Sequence, residues 1–218
     1  MRDPAPNSPT PPDNGPIRVV LASGSPYRAE LLRKILPEFD IKSPDIDETP
    51  LPNEPALALA QRLAMQKAQH IAARCPQSLV IGSDQVALIN SRNPLILGKP
   101  QDFETAHKQL TLCSSQTVAF ITAVALIDTR FGESRSFTDT FSIKFRELDD
   151  ALITNYLHQE QPYDCAGAIK TEALGIALIE RFIGDDPNTL IGLPLIKLID
   201  ALKCYGLSPL SNANSSFT

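Results

Sequence analysis

The 218-residue sequence contains no tryptophan, only three histidines and only four cysteines. No two cysteines have the close spacing of a zinc or redox motif, and the histidines lack metal-ligand spacing. This usage favours free thiols in a reducing compartment, so we expect a cytoplasmic protein. The residues concerned are Cys75, Cys113, Cys165, Cys204, His70, His107 and His158.

Long apolar runs and an excess of positive charge are also missing. No stretch is long enough to span a bilayer, and the formal net charge is −5. An acidic chain is not suited to bulk binding of a nucleic-acid polymer or of a membrane surface. A small-molecule partner held in a local basic pocket remains compatible with this balance.

The two ends of the chain differ in composition from the rest. Residues 1–16 hold six of the 19 prolines and have no apolar segment of a secretory signal, which predicts a disordered proline-rich tail. Residues 206–218 are predicted to form a polar C-terminal tail. We therefore expect one domain at 17–205, with no internal linker.

Between the tails, strand-like and helix-like segments alternate, which predicts an α/β fold with a long mixed sheet flanked by helices. The run SLVIGSDQVALI predicts a central strand that is broken or bulged at Ser83-Asp84-Gln85. Burying a lone carboxylate is costly, so we expect Asp84 at a strand end that faces a cleft. The segment AGAIKTEALGIALIERFIGD is expected to contain a pair of strands.

The stretch VVLASGSPYRAELL predicts a strand that stops at Ser-Gly-Ser and leads directly into a helix. Ser25 can cap that helix, and Pro26 suits its first position. Backbone N–H groups and the helix dipole at such a junction favour an anion, most naturally phosphate. Arg28 lies in the first turn, within reach of the same anion. A purely structural helix start has the same pattern, so the junction alone leaves both interpretations open.

Other charged residues are candidates for the same chemistry. Lys67 and Lys99 are possible phosphate ligands. The segment DIDETP places Asp45, Asp47 and Glu48 together, and carboxylates near phosphates suit magnesium or manganese.

Taken in order, these segments resemble the Maf family of nucleoside triphosphate pyrophosphatases. The resemblance is carried by LASGSPYRAELL, DIDET, QKAQ, GSDQV, LGKP and KTEALGIALIERFIGDDPNTLIGLPL, and it covers residues 17–205. It implies a fold like that of inosine triphosphate pyrophosphatases, with two lobes around a central cleft. It also implies hydrolysis of the α–β phosphate bond of a nucleotide, with a divalent cation, Mg²⁺ or Mn²⁺, as cofactor. A homodimer is compatible with the resemblance.

The resemblance also implies roles for individual residues. Asp84 matches the proton acceptor of the family and is a candidate metal ligand, as is Glu48. The positions expected to hold phosphates are Ser23, Ser25, Arg28, Lys67 and Lys99.

Three positions that sort substrate specificity in the family are Tyr27, Gln85 and Glu172. They resemble the branch that hydrolyses 7-methyl-GTP, although the aromatic residue associated with that branch is tryptophan rather than tyrosine. An aromatic face at Tyr27 attracts a methylated, positively charged base, and Glu172 can accept hydrogen bonds from guanine. Two alternatives remain at this point: a pyrophosphatase that prefers dTTP or UTP, and a nucleotide-binding regulator of septum formation.

Overall fold

A computed structural model describes residues 17–92 and 94–210. The predicted tail at 1–16 and most of the predicted tail at 206–218 lie outside these residues. Leu207, which is described, packs against the core. The domain bounds at 17 and 205 stay a prediction. No helix in the described part of the chain is long and apolar enough to cross a membrane.

Strands and helices alternate as the pattern predicts. The strands are β1 (Arg18–Ala22), β2 (Asp40–Lys42), β3 (Ser78–Ile89), β4 (Leu95–Leu97), β5 (Thr117–Asp128), β6 (Glu133–Phe145) and β7 (Ile179–Ile183). The helices are α1 (Pro26–Arg33), α2 (Ala56–Ala72), α3 (Phe103–Cys113), α4 (Asp150–Glu160), α5 (Asn188–Ile191) and α6 (Leu195–Lys203).

The described strands form one mixed sheet in the order β2-β1-β3-β5-β6-β7, and β4 pairs with the far end of β3. Strand β1 runs parallel to β2 and β3, whereas the pairs from β3 to β7 are antiparallel. The expectation of a long mixed sheet flanked by helices is therefore confirmed.

Strand β3 corrects one prediction. It is neither broken nor bulged, because its register with β5 is continuous from Leu79 opposite Asp128 to Ile89 opposite Val118. Asp84 lies in the middle of this strand and not at its end. Ser83, Asp84 and Gln85 lie beyond the end of β1, because β1 is shorter than β3. The β1–β3 pairing stops with Ala22 opposite Gly82, so that β3 has no parallel neighbour beside Asp84.

The segment after α4 corrects a second prediction. It contains one strand, β7, and two short 3₁₀ helices at Ala166–Ala168 and Leu174–Leu178 instead of a pair of strands. Gly167 has a φ of +69°, which lets the first of these turns pass close to Leu97. Ala168, Ile169 and Leu178 of this segment are buried, whereas Leu174 and Ile176 are exposed.

The core is divided between two lobes. In one, α1 and α6 cover one face of the β1 end of the sheet, and α2 covers the opposite face. In the other, α3 and α4 pack on β4 and on the adjoining ends of β5 and β6. The cleft described below lies where the two lobes meet.

Candidate functional site

The Ser-Gly-Ser corner after β1 has the predicted capping geometry. The Oγ of Ser25 accepts a hydrogen bond from the backbone N–H of Arg28 at 3.4 Å, which makes Ser25 the N-cap of α1. The backbone N–H of Ser25 donates to the Oγ of Ser23 at 3.1 Å, and Ser23 is buried. The first turn of α1 is thereby held at the end of β1, with its N–H groups at the corner.

Alternation along β3 sends its polar residues to opposite faces of the sheet. Ser83 donates to the backbone O of Gly192 at 2.8 Å, and Gln85 donates to the backbone O of Thr189 at 2.6 Å. Asp84 points the other way, toward α2, where Lys67 donates to its Oδ1 at 2.6 Å. One strand therefore organises both sides of the site.

Close packing of α2 on β3 makes the contact between Lys67 and Asp84 possible. A Cβ added at Gly82 would lie 2.4 Å from the backbone O of Ala64 and 2.7 Å from the backbone N of Ala68. No other residue type fits this crossing without moving the helix, because both obstructing atoms belong to the backbone. Lys67 lies one residue before Ala68, on the helix that Gly82 allows to approach.

Lys67 bridges two carboxylates. Its Nζ lies 2.6 Å from an oxygen of Asp84 and 2.9 Å from an oxygen of Glu48. Asp84 and Lys67 are both buried, whereas the Glu48 side chain is 53% exposed. Glu48 is thus the solvent-facing member of a carboxylate–ammonium–carboxylate array.

The electrostatics of Asp84 follow from this environment. Burial raises the pKa of Asp84 above its ordinary value, while Lys67 and Arg28 lower it and Glu48 raises it again. Burial is the largest of these effects. Because the net shift is upward, Asp84 is a better proton acceptor than an exposed aspartate.

Arg28 is fixed by the distant C-terminal segment. Its Nε donates to the backbone O of Gly192 at 3.0 Å, and its Nη1 lies 3.5 Å from the Oγ of Ser23. Gly192 has a φ of +104°, and a Cβ there would lie 3.0 Å from Nε. Burial lowers the pKa of Arg28, with Asp84 and Glu48 acting against it, but a guanidinium stays charged at neutral pH.

Two adjoining cavities open at this arrangement. The residues that line the corner cavity alone include Ser23, Gly24, Ser43, Glu48 and Lys67. Those that line the strand cavity alone include Gln85, Phe120, Cys165, Glu172, Leu190 and Ile191. Both cavities are lined by Ser25, Tyr27, Arg28, Lys99 and Asp164. One cleft with two compartments results.

Gln85 contacts the backbone of α5 with its amide nitrogen. Nε2 donates to the carbonyl oxygens of Thr189 and Leu190 at 2.6 and 3.1 Å, and it lies 3.1 Å from the Oγ1 of Thr122. Backbone carbonyls only accept hydrogen bonds, so the nitrogen and not the oxygen of Gln85 must face them. Gln85 consequently fixes α5 and can offer the strand cavity only an acceptor.

Tyr27 and Glu172 both line the strand cavity. Glu172 is exposed and lines the strand cavity, and half-buried Tyr27 lines both cavities. Burial raises the pKa of Tyr27, as does nearby Asp164, while a hydrogen bond with Lys170 opposes the shift. The hydroxyl of Tyr27 thus has polar partners on the 163–170 segment.

The structure brings the predicted phosphate ligands together at the corner cavity. Lys99 is exposed, lines both cavities and forms no ion pair with another residue that the structure describes. Of the DIDETP acids, Glu48 alone reaches Lys67. Asp47 instead accepts a hydrogen bond from the backbone N–H of Thr49, and Asp45 is exposed.

Asp164 and Phe120 are among the lining residues that the sequence analysis did not identify as site candidates. Asp164 is an exposed acid at the boundary of the cavities, and Phe120 is a buried ring of the strand cavity. Phe120 alternates with other apolar residues of β5 and had no distinguishing signal. Asp164 lies in a short polar loop after α4, where an acid is unremarkable until its spatial neighbours are known.

Comparisons with known proteins agree with this arrangement. The family model described as Maf-like protein matches residues 18–205. The 7-methyl-GTP pyrophosphatase of Nitrosococcus oceani is 50% identical over 195 residues, which is 89% of this chain and 96% of that protein. The protein of the same name from Pseudomonas savastanoi pv. phaseolicola is 48% identical over 190 residues, or 87% of this chain and 97% of that protein.

Solved structures show a more distant likeness. The Ham1 protein of Staphylococcus aureus matches with a TM-score of 0.43 and 16% identity over 60% of this chain and 72% of that chain. The sequence relatives and the family model cover nearly the same residues as the fold described above. The chain belongs to the Maf family.

Proposed function

We propose that this protein hydrolyses 7-methyl-GTP to 7-methyl-GMP and pyrophosphate. The observation that carries the proposal is the Asp84–Lys67–Glu48 array beside the Ser-Gly-Ser corner, at the edge of a two-compartment cleft. Two relatives named 7-methyl-GTP pyrophosphatase, at 48–50% identity over most of the chain, support the choice of reaction and substrate.

The corner cavity suits the triphosphate. Its lining includes the helix N-terminus at Ser25, the guanidinium of Arg28 and the ammonium groups of Lys67 and Lys99. These donors can bind phosphate oxygens and offset the charge that develops on the leaving pyrophosphate. Arg28 needs no reorganisation for this role, because Gly192 already holds its Nε.

Asp84 is the proposed base that orients and deprotonates the attacking water. It does not itself line either cavity, whereas its ion-pair partner Lys67 lines the corner cavity. A bound phosphate would compete with Asp84 for Lys67 and so release a carboxylate oxygen to the water. The water then attacks the innermost phosphorus, the bond to the bridging oxygen breaks, and pyrophosphate leaves.

Glu48 and Asp84 also fit a divalent cation. Their oxygens already converge on one ammonium, and Mg²⁺ binds through one or two carboxylates together with substrate phosphates. No group of three or more His, Cys, Asp or Glu side chains that could hold a metal occurs in the residues that the structure describes. The remaining ligands would therefore be phosphate oxygens and water, and the ion would supply further charge neutralisation.

The strand cavity suits a methylated guanine. The carboxylate of Glu172 can accept from both the N1–H and the exocyclic amine, and the carbonyl oxygen of Gln85 is a further acceptor. Tyr27 presents an aromatic ring to a base that methylation makes cationic, an attraction of roughly 0.5–2 kcal/mol. Uracil and thymine offer a single N–H between two carbonyl acceptors, which is a poorer match to a carboxylate.

One assay separates this proposal from its rivals. We would incubate the protein with Mg²⁺ or Mn²⁺ and equal concentrations of 7-methyl-GTP, GTP, dTTP or UTP, and identify pyrophosphate against single phosphate. The expected result is pyrophosphate release, fastest from 7-methyl-GTP. Faster turnover of dTTP or UTP would favour a pyrophosphatase that prefers those nucleotides. Binding without turnover would favour a nucleotide-binding regulator of septum formation. The homodimer and the cytoplasmic location stay predictions.

A further inference from the structure

The boundary between the two cavities carries one acidic residue. Five residues line both compartments, and they comprise two cations, a serine, a tyrosine and Asp164. Glu48 lines only the corner cavity, and Glu172 lines only the strand cavity. Among the residues that the structure describes, Asp164 is therefore the one carboxylate that lines both compartments.

A nucleotide that spans the cleft must place its sugar at this boundary, because the sugar joins the base to the phosphates. We infer that Asp164 recognises the ribose, with its carboxylate accepting hydrogen bonds from the 2′- and 3′-hydroxyl groups. The inference rests on the proposed function for the orientation of the nucleotide. It adds a specificity determinant for the sugar to those already assigned to the base.

The side chain of Asp164 has the capacity for this contact. It is exposed, and the hydrogen bond that it accepts from the Sγ of Cys165, at 3.4 Å, is a weak one. A carboxylate has two oxygens with about four acceptor positions, which match the two adjacent donors of a cis-diol. Most of the acceptor capacity of Asp164 is thus available to a ligand.

The charge at Asp164 also needs an explanation, since a carboxylate beside a triphosphate is repulsive. The positive charges of Arg28 and Lys99, which line the same boundary, offset the negative charge of Asp164. Lys170 also interacts electrostatically with Asp164. Hydroxyl donors are uncharged, so the sugar is the part of a nucleotide that gains from an acceptor at this place. The base contacts Glu172 instead, and the phosphates contact the cations.

The test compares 7-methyl-GTP with its 2′-deoxy form in wild type, Asp164→Asn and Asp164→Ala. The wild type is expected to prefer the ribonucleotide by about tenfold in kcat/KM, the effect of one charge-assisted hydrogen bond at a solvent-accessible site. The preference should fall to about one in Asp164→Ala and to an intermediate value in Asp164→Asn. Asp200→Asn, an exposed aspartate on α6, is the matched control and should keep the wild-type ratio.

The same comparison is made by equilibrium binding in EDTA, where turnover is not expected. If the wild type hydrolyses neither nucleotide, the proposed reaction fails, but tighter binding of the ribonucleotide that disappears in Asp164→Ala still supports the sugar contact. Equal losses for both nucleotides in the variants would mean a general electrostatic or structural role and would overturn the inference. So would a wild type that binds both forms equally or binds neither.

Discussion

The corner cavity and the strand cavity are built by different means. Around the corner cavity, the buried carboxylate of Asp84 is held by the Lys67 side chain, and Arg28 is held by the backbone O of Gly192. Glu48 and Lys99, which also line this cavity, are exposed. Around the strand cavity, Glu172 is exposed, and Gln85 uses its amide nitrogen to hold α5. From this difference we expect reaction rate and base selectivity to depend on separate residues, so that substitutions change one without the other.

The largest expected effect on kcat comes from a substitution of Asp84, beside the corner cavity. Asp84→Asn keeps the shape and one acceptor but removes the base, so kcat for 7-methyl-GTP should fall about 10²–10⁴-fold. The circular-dichroism spectrum and nucleotide binding should be retained. A variant with near wild-type kcat would show that Asp84 does not activate the water.

A second substitution tests whether the contact between Lys67 and Asp84 depends on the close packing of α2 on β3. Gly82→Val places side-chain atoms against the backbone of Ala64 and Ala68, which must move. We expect a loss of about 1–3 kcal/mol in the free energy of unfolding, measured in urea, together with reduced kcat as Lys67 shifts from Asp84. Gly98→Ala is the control, because a Cβ at Gly98 has no atom within 4 Å. Equal stability of the two variants would contradict the packing argument.

A substitution of Glu172 in the strand cavity should change base selectivity and leave the reaction rate nearly unchanged. Glu172→Gln removes the negative charge that favours the cationic methylated base over neutral guanine, so the ratio of kcat/KM for 7-methyl-GTP over GTP should fall about tenfold. The kcat of the variant on its better substrate should stay within a few-fold of wild type. An unchanged ratio would remove Glu172 from base recognition.

The smallest expected effect is a shift in pH dependence. Asp84 acts as a base only when ionised, so kcat/KM rises with pH through its pKa, which burial places above the ordinary value. Lys67 lowers that pKa and Glu48 raises it. Lys67→Met should therefore move the acid limb of the profile to higher pH, and Glu48→Gln should move it to lower pH. Shifts in the same direction would exclude Asp84 as the titrating group.

Much of the fold and site was accessible from the sequence, because it is encoded locally. Ser25 caps α1 within one turn, and the order of apolar segments predicts the mixed sheet. The ordered motifs led to the Maf family, which the family model confirms over residues 18–205.

What escaped prediction depends on contacts between distant segments. Asp84 was expected at a strand end because its cost of burial was judged alone. Lys67, 17 residues earlier, offsets that cost within an uninterrupted strand. Asp164 gave no local signal, because its significance comes from lining two cavities whose other walls belong to α1 and β3. The strand pair expected after α4 was wrong because 3₁₀ turns replace the first strand, and they bury Ala168 and Leu178 while leaving Leu174 and Ile176 exposed.

The hydrogen bond from Arg28 to Gly192 joins residues 164 positions apart. A ribosome will have synthesised every proposed phosphate ligand, from Ser23 to Lys99, long before residue 192 emerges. During that interval Arg28 lacks its acceptor at Gly192, so the nascent chain should be unable to turn over nucleotide. We therefore expect activity to begin only when α5 and α6 have docked, so that the protein becomes active late in its synthesis and folding.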